Sequence, residues 1–243
     1  MAYYGGMQCV ILAAGKGTRL RPLTETIPKP LVPVAGTPLL DHIVSVLPSS
    51  VDELIIVTGY LGEKLEEHCT DEYFGRKVTY VRQEEQLGTA HALWLCKHLL
   101  RDRFLFMFAD DIHGKADIAR VTSFSRGMLT LSTDTPERFG IVVRNPDSTL
   151  AQFVEKPERA PSNLASTGVF VLDENIFNYE PKTQLKGEFY HTDVIREYAA
   201  DYPIAVVEQS LWIPIGYPED ITNAEKLLSV RGLSRDEVAR PAR

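Results

Sequence analysis

The feature of this sequence that most constrains its fold is a repeated alternation of short apolar runs with helix-forming segments. The apolar runs are rich in Val, Ile, Leu and Phe, as buried strands are. In the first half of the chain they are 9–13, 54–58, 78–82 and 104–108. The intervening segments that predict helices are 39–47, 62–68 and 89–100. Such alternation predicts helices on both faces of a mainly parallel sheet.

The spacing changes after about residue 128, where apolar runs follow one another closely. The predicted strands in this part are 127–132, 141–144, 150–154 and 166–172. Their short connections predict an antiparallel or mixed region on the same sheet. A helix at 187–200, a strand at 204–207 and a helix at 219–230 complete the predicted domain. The expected fold is a three-layer, Rossmann-like α/β fold with a mixed, mainly parallel central sheet.

The length of 243 residues suits one large domain, which we place at 7–231. Residues 1–6 have no charged leader-like region and are expected to be an extension before Met7. The segment 232–243 is charged and is expected to be a tail.

Composition excludes several classes of function. The formal charge is −7, so a generally basic surface for nucleic acid is not expected. No apolar run reaches the roughly 20 residues that span a bilayer, so no membrane role is expected. The three cysteines show no CxxC spacing, which argues against a disulfide framework or zinc site and favours the reducing cytoplasm.

The loops that follow the predicted parallel strands are expected to form one binding site. They are 14–30, 83–88 and 109–114. Ligands of such sheets bind beyond the carboxyl ends of the strands, so the three loops should meet at one edge.

The first of these loops reads GKGTRLRPLTETIPKP over 15–30 and carries unusual positive charge and rigidity. It fails both the Walker pattern and the GxGxxG pattern, because Leu20 stands where each requires glycine. Its glycines nevertheless expose backbone amides that can surround an anion, and Arg19 and Lys29 add fixed cations. Its prolines lower the cost of ordering the loop on binding. The loop therefore predicts an anion or phosphate site rather than a solvated basic turn.

The arrangement GxGTRxxPxTxxxPKP in this loop resembles the signature of nucleoside-diphosphate-sugar pyrophosphorylases, the sugar-1-phosphate nucleotidylyltransferases. Nine positions match, namely Gly15, Gly17, Thr18, Arg19, Pro22, Thr24, Pro28, Lys29 and Pro30. The resemblance continues through QEEQLGTAHAL, FADD, RFGIVV, EKP, STGVFVLD, GEFYHTD and WIPIGYPED, and so covers nearly the whole chain. It is closest to glucose-1-phosphate uridylyl- and thymidylyltransferases.

The resemblance implies a reaction between a nucleoside triphosphate and a sugar 1-phosphate, with release of pyrophosphate. UTP or dTTP and a glucose 1-phosphate-like sugar are the expected substrates, and Mg²⁺ is the expected cofactor. Arg19 would hold the β- and γ-phosphates, Lys29 would bridge the α-phosphate and the sugar phosphate, and Asp110 would bind the metal. The implied nucleotide-binding residues are Ala13, Ala14, Gly15, Gly17, Thr18, Gln83, Gly88 and Thr89.

On the base side, Gln83 would read the imide edge of uracil or thymine with its amide donor and acceptor. Gly88 would leave room for the base, Thr89 would cap the following helix, and His91 would be a packing residue. The implied sugar-binding residues are Gly140, Glu155, Lys156 and Gly168. Glu155 and Lys156 could otherwise be a plain surface ion pair. Asp193 could equally contact a ligand or cap a helix.

The sequence departs from the family at two positions near the expected metal. The family's second metal carboxylate is expected at position 214, where this chain has proline. Asp111 instead doubles the carboxylate of Asp110 and could be a hydrogen-bond acceptor beside the metal or could face solvent. Asp220 is expected to act at a helix N-terminus and not as a metal ligand.

Two other functions stay open. Pro214 is compatible with a catalytically weak protein that binds a nucleotide or sugar nucleotide. The pocket residues are also compatible with a cytidylyltransferase that uses another phosphate acceptor. A C-terminal β-helix acyltransferase domain, which some relatives carry, is not expected in 243 residues. The sequence does not tell whether the chain forms a homo-oligomer.

Overall fold

The structure is a computed structural model that describes residues 6–182, 184–185 and 187–230. Its strands, in chain order, are β1 (Met7–Leu12), β2 (Pro33–Val34), β3 (Thr37–Pro38), β4 (Val51–Thr58), β5 (Glu72–Tyr73), β6 (Arg76–Arg82), β7 (Arg103–Phe108), β8 (Asp111–His113), β9 (Gly127–Ser132), β10 (Gly140–Arg144), β11 (Leu150–Glu155), β12 (Leu164–Asp173), β13 (Gln184–Leu185), β14 (Glu188–Phe189), β15 (Ala205–Glu208) and β16 (Trp212–Pro214). Its helices are α1 (Leu39–Ser45), α2 (Gly62–Cys69), α3 (Thr89–Leu95), α4 (Lys115–Val121), α5 (His191–Asp201) and α6 (Pro218–Val230).

The centre of the molecule is one mixed sheet in the order β11-β10-β12-β7-β1-β4-β6-β5, with β9 on β12 and β15 on β9. The strands β7, β1, β4 and β6 are parallel neighbours. The next strand, β12, runs antiparallel to β7 and begins the second half of the sheet. The predicted mixed sheet, with a parallel core and a later antiparallel region, is confirmed.

Helices cover both faces of this sheet and make three layers. Successive residues of the central strands alternate between the faces, so Ile11 packs on one side and Val10 on the other. The Ile11 side is covered by α1, α2, α4 and α6, and the Val10 side by α3 and α5. Each fully buried aliphatic side chain stabilises this arrangement by about 1.5–3 kcal/mol before entropy is counted.

The structure differs from the predicted elements in several segments. The helix predicted at 89–100 ends at Leu95, because the following amides bond three residues back and tighten the chain. The helix predicted at 187–200 begins only at His191, and Glu188–Phe189 is a short strand instead. The sequence prediction also missed α4 and the β8–β16 ribbon, which are too short to show a clear period.

Several predictions concern segments at the ends of the chain. The tail at 232–243, and all but Gly6 of the extension at 1–6, lie outside the described residues. Among the residues that are described, no helix is long and apolar enough to cross a bilayer.

Candidate active site

The three predicted loops meet at the carboxyl edge of the parallel strands. Lys29 Nζ of the first loop lies 2.9 Å from Asp110 Oδ2 of the third loop. Gln86 Nε2 of the second loop donates to the Ala14 carbonyl of the first at 2.9 Å. The convergence predicted from strand order alone is therefore present in the structure.

The glycine-rich turn after β1 presents free backbone amides to this edge. Gly17 has a φ of 59°, a left-handed conformation that glycine adopts without strain. The buried Thr24 hydroxyl donates to the Gly17 carbonyl at 2.8 Å and holds the turn. The amides of residues 15 to 18 find no hydrogen-bond acceptor within the described part of the chain. Such amides can bind phosphate oxygens.

Lys29 is the most enclosed cation of the site, with its side chain 13% exposed. It begins a short 3-10 turn between Pro28 and Pro30, so its backbone is fixed on both sides. Its partner Asp110 lies two residues after the end of β7, and 38% of its side chain is exposed. Asp110 can therefore meet both Lys29 and a ligand from solvent.

Arg19 contacts the residue before α6, where its guanidinium is 5.1 Å from the centroid of the Tyr217 ring. Arg138 lies 5.3 Å from the same centroid. A hydrogen bond from Arg19, together with its charge, lowers the pKa of the Tyr217 phenol. Asp220 accepts the Gly216 and Tyr217 amides at 2.8 Å, so it fixes the turn into α6. This is the helix-terminal role that the sequence predicted for Asp220.

Gln83 directly follows β6, on the side of the site where the nucleotide base is expected, and it is buried. Its Nε2 lies 3.1 Å from the Gly88 carbonyl and 3.1 Å from His91 Nδ1. Its amide donors are thus used inside the protein, and its Oε1 has no partner among the described residues. Gln83 can offer a ligand an acceptor, not the donor and acceptor together that the sequence suggested. His91 orients Gln83, in addition to packing.

Two predictions about the neighbouring turn are wrong. Gly88 does not leave room for a base, because a Cβ atom there would lie 2.5 Å from the Phe189 carbonyl oxygen. The backbone of β14 fills the space beside Gly88. Thr89 does not cap its own helix. Its hydroxyl oxygen instead accepts the His191 amide at 3.1 Å, one of the amides that the start of α5 leaves unsatisfied.

The predicted sugar-side residues surround a neighbouring cavity. Glu155 Oε2 accepts the Thr192 hydroxyl at 2.8 Å, and Glu155 Oε1 lies 3.1 Å from Lys156 Nζ. The two residues therefore form an ion pair that also lines the cavity. Gly140 and Gly168 line the same cavity.

Asp193 takes neither of the roles that the sequence left open. It pairs with Arg196 at 3.1 Å on α5, and it does not line either cavity of the site. A helix N-cap side chain is also absent at the start of α5 within the described residues.

Position 214 faces the expected metal region. Pro214 of β16 pairs with Asp111 of β8, and both line the sugar-side cavity. Asp111 is buried, and its Oδ2 accepts Trp212 Nε1 at 2.7 Å. Burial, followed by the charge of Asp110, raises the pKa of the Asp111 carboxyl well above its usual range. Asp111 therefore does not face solvent, one of the two roles left open for it.

These residues line two adjoining cavities of about 410 Å³ and about 400 Å³. The nucleotide-side cavity is lined by the glycine-rich turn at 15–18, here called the amide cradle, and by Lys29, Gln83, Gly88 and Thr89. The sugar-side cavity is lined by Gly140 and Gly168. The residues that line both are Arg19, Phe108, Asp110, Glu155, Lys156 and His191. All the residues predicted as catalytic, nucleotide-binding or sugar-binding thus lie on one wall or the other, and their roles stay predictions.

The wall residues that the sequence interpretation missed include Phe108, Arg138, Tyr190, His191 and Tyr217. Each lies in or beside a segment that carried the family resemblance, so the segments were found but not these side chains. For His191 the available signal was its place inside GEFYHTD, one of the segments that carry the resemblance.

Comparison with known proteins agrees with this geometry. The model of the nucleotidyl transferase family matches residues 8–230. The UTP–glucose-1-phosphate uridylyltransferase AglF of Haloferax volcanii is 37% identical over 235 residues, which cover 91% of this chain and 96% of AglF. The bifunctional protein GlmU of Methanococcus maripaludis is 34% identical over 225 residues, or 90% of this chain and 53% of GlmU.

The chain spans about half the length of the GlmU relatives that it matches. Among solved structures, a Bacillus anthracis protein assigned as a glucose-1-phosphate thymidylyltransferase superposes with a TM-score of 0.83 at 29% identity. The match covers 91% of this chain and 95% of that one. The shared fold therefore extends over most of both chains.

Proposed function

This chain belongs to the nucleotidyl transferase family, and we propose that it joins a nucleoside triphosphate to a sugar 1-phosphate and releases pyrophosphate. The product is a nucleoside-diphosphate sugar. UTP or dTTP is the favoured nucleotide, and a glucose 1-phosphate-like molecule is the favoured acceptor. The names of AglF and of the thymidylyltransferase structure support both choices. The three cysteines are all buried, and their lack of CxxC spacing suits the reducing cytoplasm.

The observation that carries this proposal is the pair of adjoining cavities with cations at their junction. One cavity has the amide cradle, and the other has the Glu155–Lys156 pair. Lys29 and Asp110 lie where the cavities meet. A reaction that transfers a nucleotide to a second phosphate needs two sites side by side with positive charge between them.

The chemistry asks for positioning and charge neutralisation. A phosphate oxygen of the sugar 1-phosphate attacks the α-phosphorus in line, the new P–O bond forms, and the bond to pyrophosphate breaks. The Lys29 ammonium can contact both the α-phosphate and the incoming phosphate. Arg19 and the cradle amides can hold the leaving pyrophosphate.

The base preference follows from the hydrogen bonds of Gln83. With its donors used by Gly88 and His91, Gln83 offers the carbonyl Oε1. The imide N–H of uracil or thymine can donate to this oxygen, whereas the corresponding ring nitrogen of cytosine is an acceptor. This arrangement disfavours a cytidylyltransferase. A single methyl group separates uracil from thymine, so the two are expected to be discriminated only weakly.

Mg²⁺ fits the donor set of the site. Asp110 and Asp111 present carboxylate oxygens, the ligands that Mg²⁺ prefers, and the cation commonly uses one or two carboxylates plus substrate phosphates. When bound, Mg²⁺ would neutralise charge on the phosphates. Asp110 would be its protein ligand, and Lys29 would then be released toward the phosphates.

The direct test is a matrix of activities. We expect the purified chain with Mg²⁺ to release pyrophosphate from UTP or dTTP in the presence of glucose 1-phosphate, and to do so more slowly from CTP or GTP. A coupled pyrophosphate assay over four nucleotides and several sugar 1-phosphates measures this. Absence of pyrophosphate release with every pair would disprove the proposed activity.

A second function is favoured by one observation, the proline at 214. If the site has lost a carboxylate that it needs, the chain binds nucleotide without efficient turnover. Calorimetry would then show nucleotide binding that does not depend on metal. A strong rise in turnover in Pro214→Asp would support this second function over the first.

Asp111→Asn should weaken the response to metal, because a cation bound beside Asp110 would favour the ionised form of Asp111 and an amide cannot ionise. Removal of one nearby carboxylate is expected to raise the Mg²⁺ concentration for half-maximal activity about tenfold, the equivalent of about 1.4 kcal/mol. Mn²⁺ binding followed by electron paramagnetic resonance should weaken by a similar factor. The amide keeps the shape of the side chain and can still accept from Trp212 Nε1 through its oxygen.

Asp193→Asn is the matched control, because Asp193 pairs with Arg196 away from both cavities. It should leave both the Mg²⁺ requirement and Mn²⁺ binding unchanged. Equal Mn²⁺ affinity in Asp111→Asn and the wild-type chain would show that Asp111 does not contribute to metal binding.

A further inference from the structure

His191 occupies an unusual place for a polar ring. It begins α5, is 7% exposed and lines both cavities of the site. Four phenylalanine rings surround it, with centroids 5.0–6.0 Å away: Phe106, Phe108, Phe153 and Phe170. Leucine would fill such an apolar enclosure without the cost of burying ring nitrogens, so packing alone does not account for histidine.

One ring nitrogen has a partner inside the protein. His191 Nδ1 lies 2.8 Å from the Thr89 hydroxyl oxygen. The same oxygen accepts the backbone amide of His191, which leaves the hydroxyl proton to be donated to Nδ1. This arrangement favours the tautomer whose proton is on Nε2. Burial lowers the pKa of His191 to about 4, so the ring is neutral near pH 7.

The other ring nitrogen has no partner among the described residues, although the ring reaches the cavities. The ring lies next to the strands of the sugar-side cavity, since its neighbours Phe153 and Phe170 belong to β11 and β12. The next residue, Thr192, holds the Glu155 carboxylate at 2.8 Å. The start of α5 therefore places a free N–H donor and a fixed carboxylate acceptor on the same cavity.

We propose that His191 Nε2 donates a hydrogen bond to one oxygen substituent of the sugar ring, beside Glu155, and so helps to determine which sugar 1-phosphate is used. This inference rests on the proposed function and adds a specificity-determining residue to it. A donor and an acceptor held together recognise a hydroxyl by both its oxygen and its proton. A sugar that lacks that hydroxyl leaves both protein groups unpaired and is rejected.

The test compares the wild-type chain with His191→Phe and His191→Gln on glucose 1-phosphate and on its 2-, 3-, 4- and 6-deoxy analogues. Phenylalanine keeps the apolar packing and removes the donor, and the glutamine amide can return an N–H to the cavity. We expect His191→Phe to lower kcat/KM about three- to tenfold, through KM for the sugar phosphate and not for the nucleotide. Glutamine should restore most of this loss. One deoxy analogue should be used equally well by the wild-type chain and His191→Phe.

The wild-type chain supplies a measurement that does not depend on the folding of the variants. Nitrogen-15 spectra of the histidine rings should show a His191 Nε2 signal that shifts on addition of glucose 1-phosphate and not on addition of UTP. Equal losses on every analogue, a loss confined to the nucleotide, or a signal that does not shift would overturn the inference. Normal wild-type turnover with such results overturns this inference alone, whereas absent wild-type turnover overturns the proposed function and this inference with it.

Discussion

Lys29→Met is expected to lower kcat by about a thousandfold, because the ammonium is placed where charge develops during transfer. The side chain is 13% exposed at the junction of the cavities, so the surrounding solvent screens its charge less than that of a surface lysine. Methionine has a similar length and no charge, so the cavity keeps its shape. Pyrophosphate release at saturating substrates measures the effect.

The loss should appear in kcat far more than in stability. Asp110 loses its partner in Lys29→Met, but 38% of its side chain is exposed and water can solvate it. Lys77→Met is a matched control, since Lys77 is 73% exposed and pairs with Glu53 outside both cavities. If the two variants turn over at similar rates, Lys29 has no part in the transfer step.

The position of Lys29 could be predicted from sequence because it depends on a local motif and on a general property of parallel sheets. The loop motif identified which charged residues belong to the site, and the strand order identified the edge of the sheet at which they lie. The predicted site residues consequently line the two cavities together. Neither inference depends on a particular side-chain contact between residues that are far apart in the sequence.

What could not be predicted depends on contacts between distant segments. Thr89 was expected to cap its own helix, yet its hydroxyl serves His191, which is 102 residues away. Gly88 was explained by space for a ligand, yet the Phe189 backbone fills that space. The pairing of Pro214 with Asp111 arises from a two-stranded ribbon whose strands are three residues each, too short for a periodic pattern.

The ribbon also changes the meaning of the proline at 214. Seen in sequence, Pro214 removes an expected carboxylate from the metal region. In the structure, the residue paired with it is itself a carboxylate, Asp111, on the wall of the same cavity. A carboxyl group is therefore retained at this wall on the neighbouring strand, and a cation bound there would favour its ionised form. This is the structural reason to favour an active enzyme over a nucleotide-binding protein that has lost catalysis.

Arg19→Ala is expected to lower kcat/KM for the nucleotide by about a hundred- to a thousandfold. Arg19 and Arg138 lie 5.1 and 5.3 Å from the centroid of one tyrosine ring, Tyr217. Both cations contact the same ring, so a pyrophosphate group bound beside it would be attracted by two positive charges. Arg19 should thus bind the leaving group more strongly as its charge grows, which lowers kcat as well as raising KM. Steady-state kinetics with the nucleotide varied separates these two contributions.

Arg21→Ala separates the charge of Arg19 from the shape of the loop. Arg21 is an exposed arginine two residues further along the same turn, and it does not line either cavity. It should keep nearly wild-type kinetics. Equal damage in both variants would mean that the loop had been distorted, and near-normal kinetics in Arg19→Ala would remove Arg19 from the triphosphate site. Arg138→Ala should give an intermediate loss, because Arg138 lines only the sugar-side cavity whereas Arg19 lines both cavities.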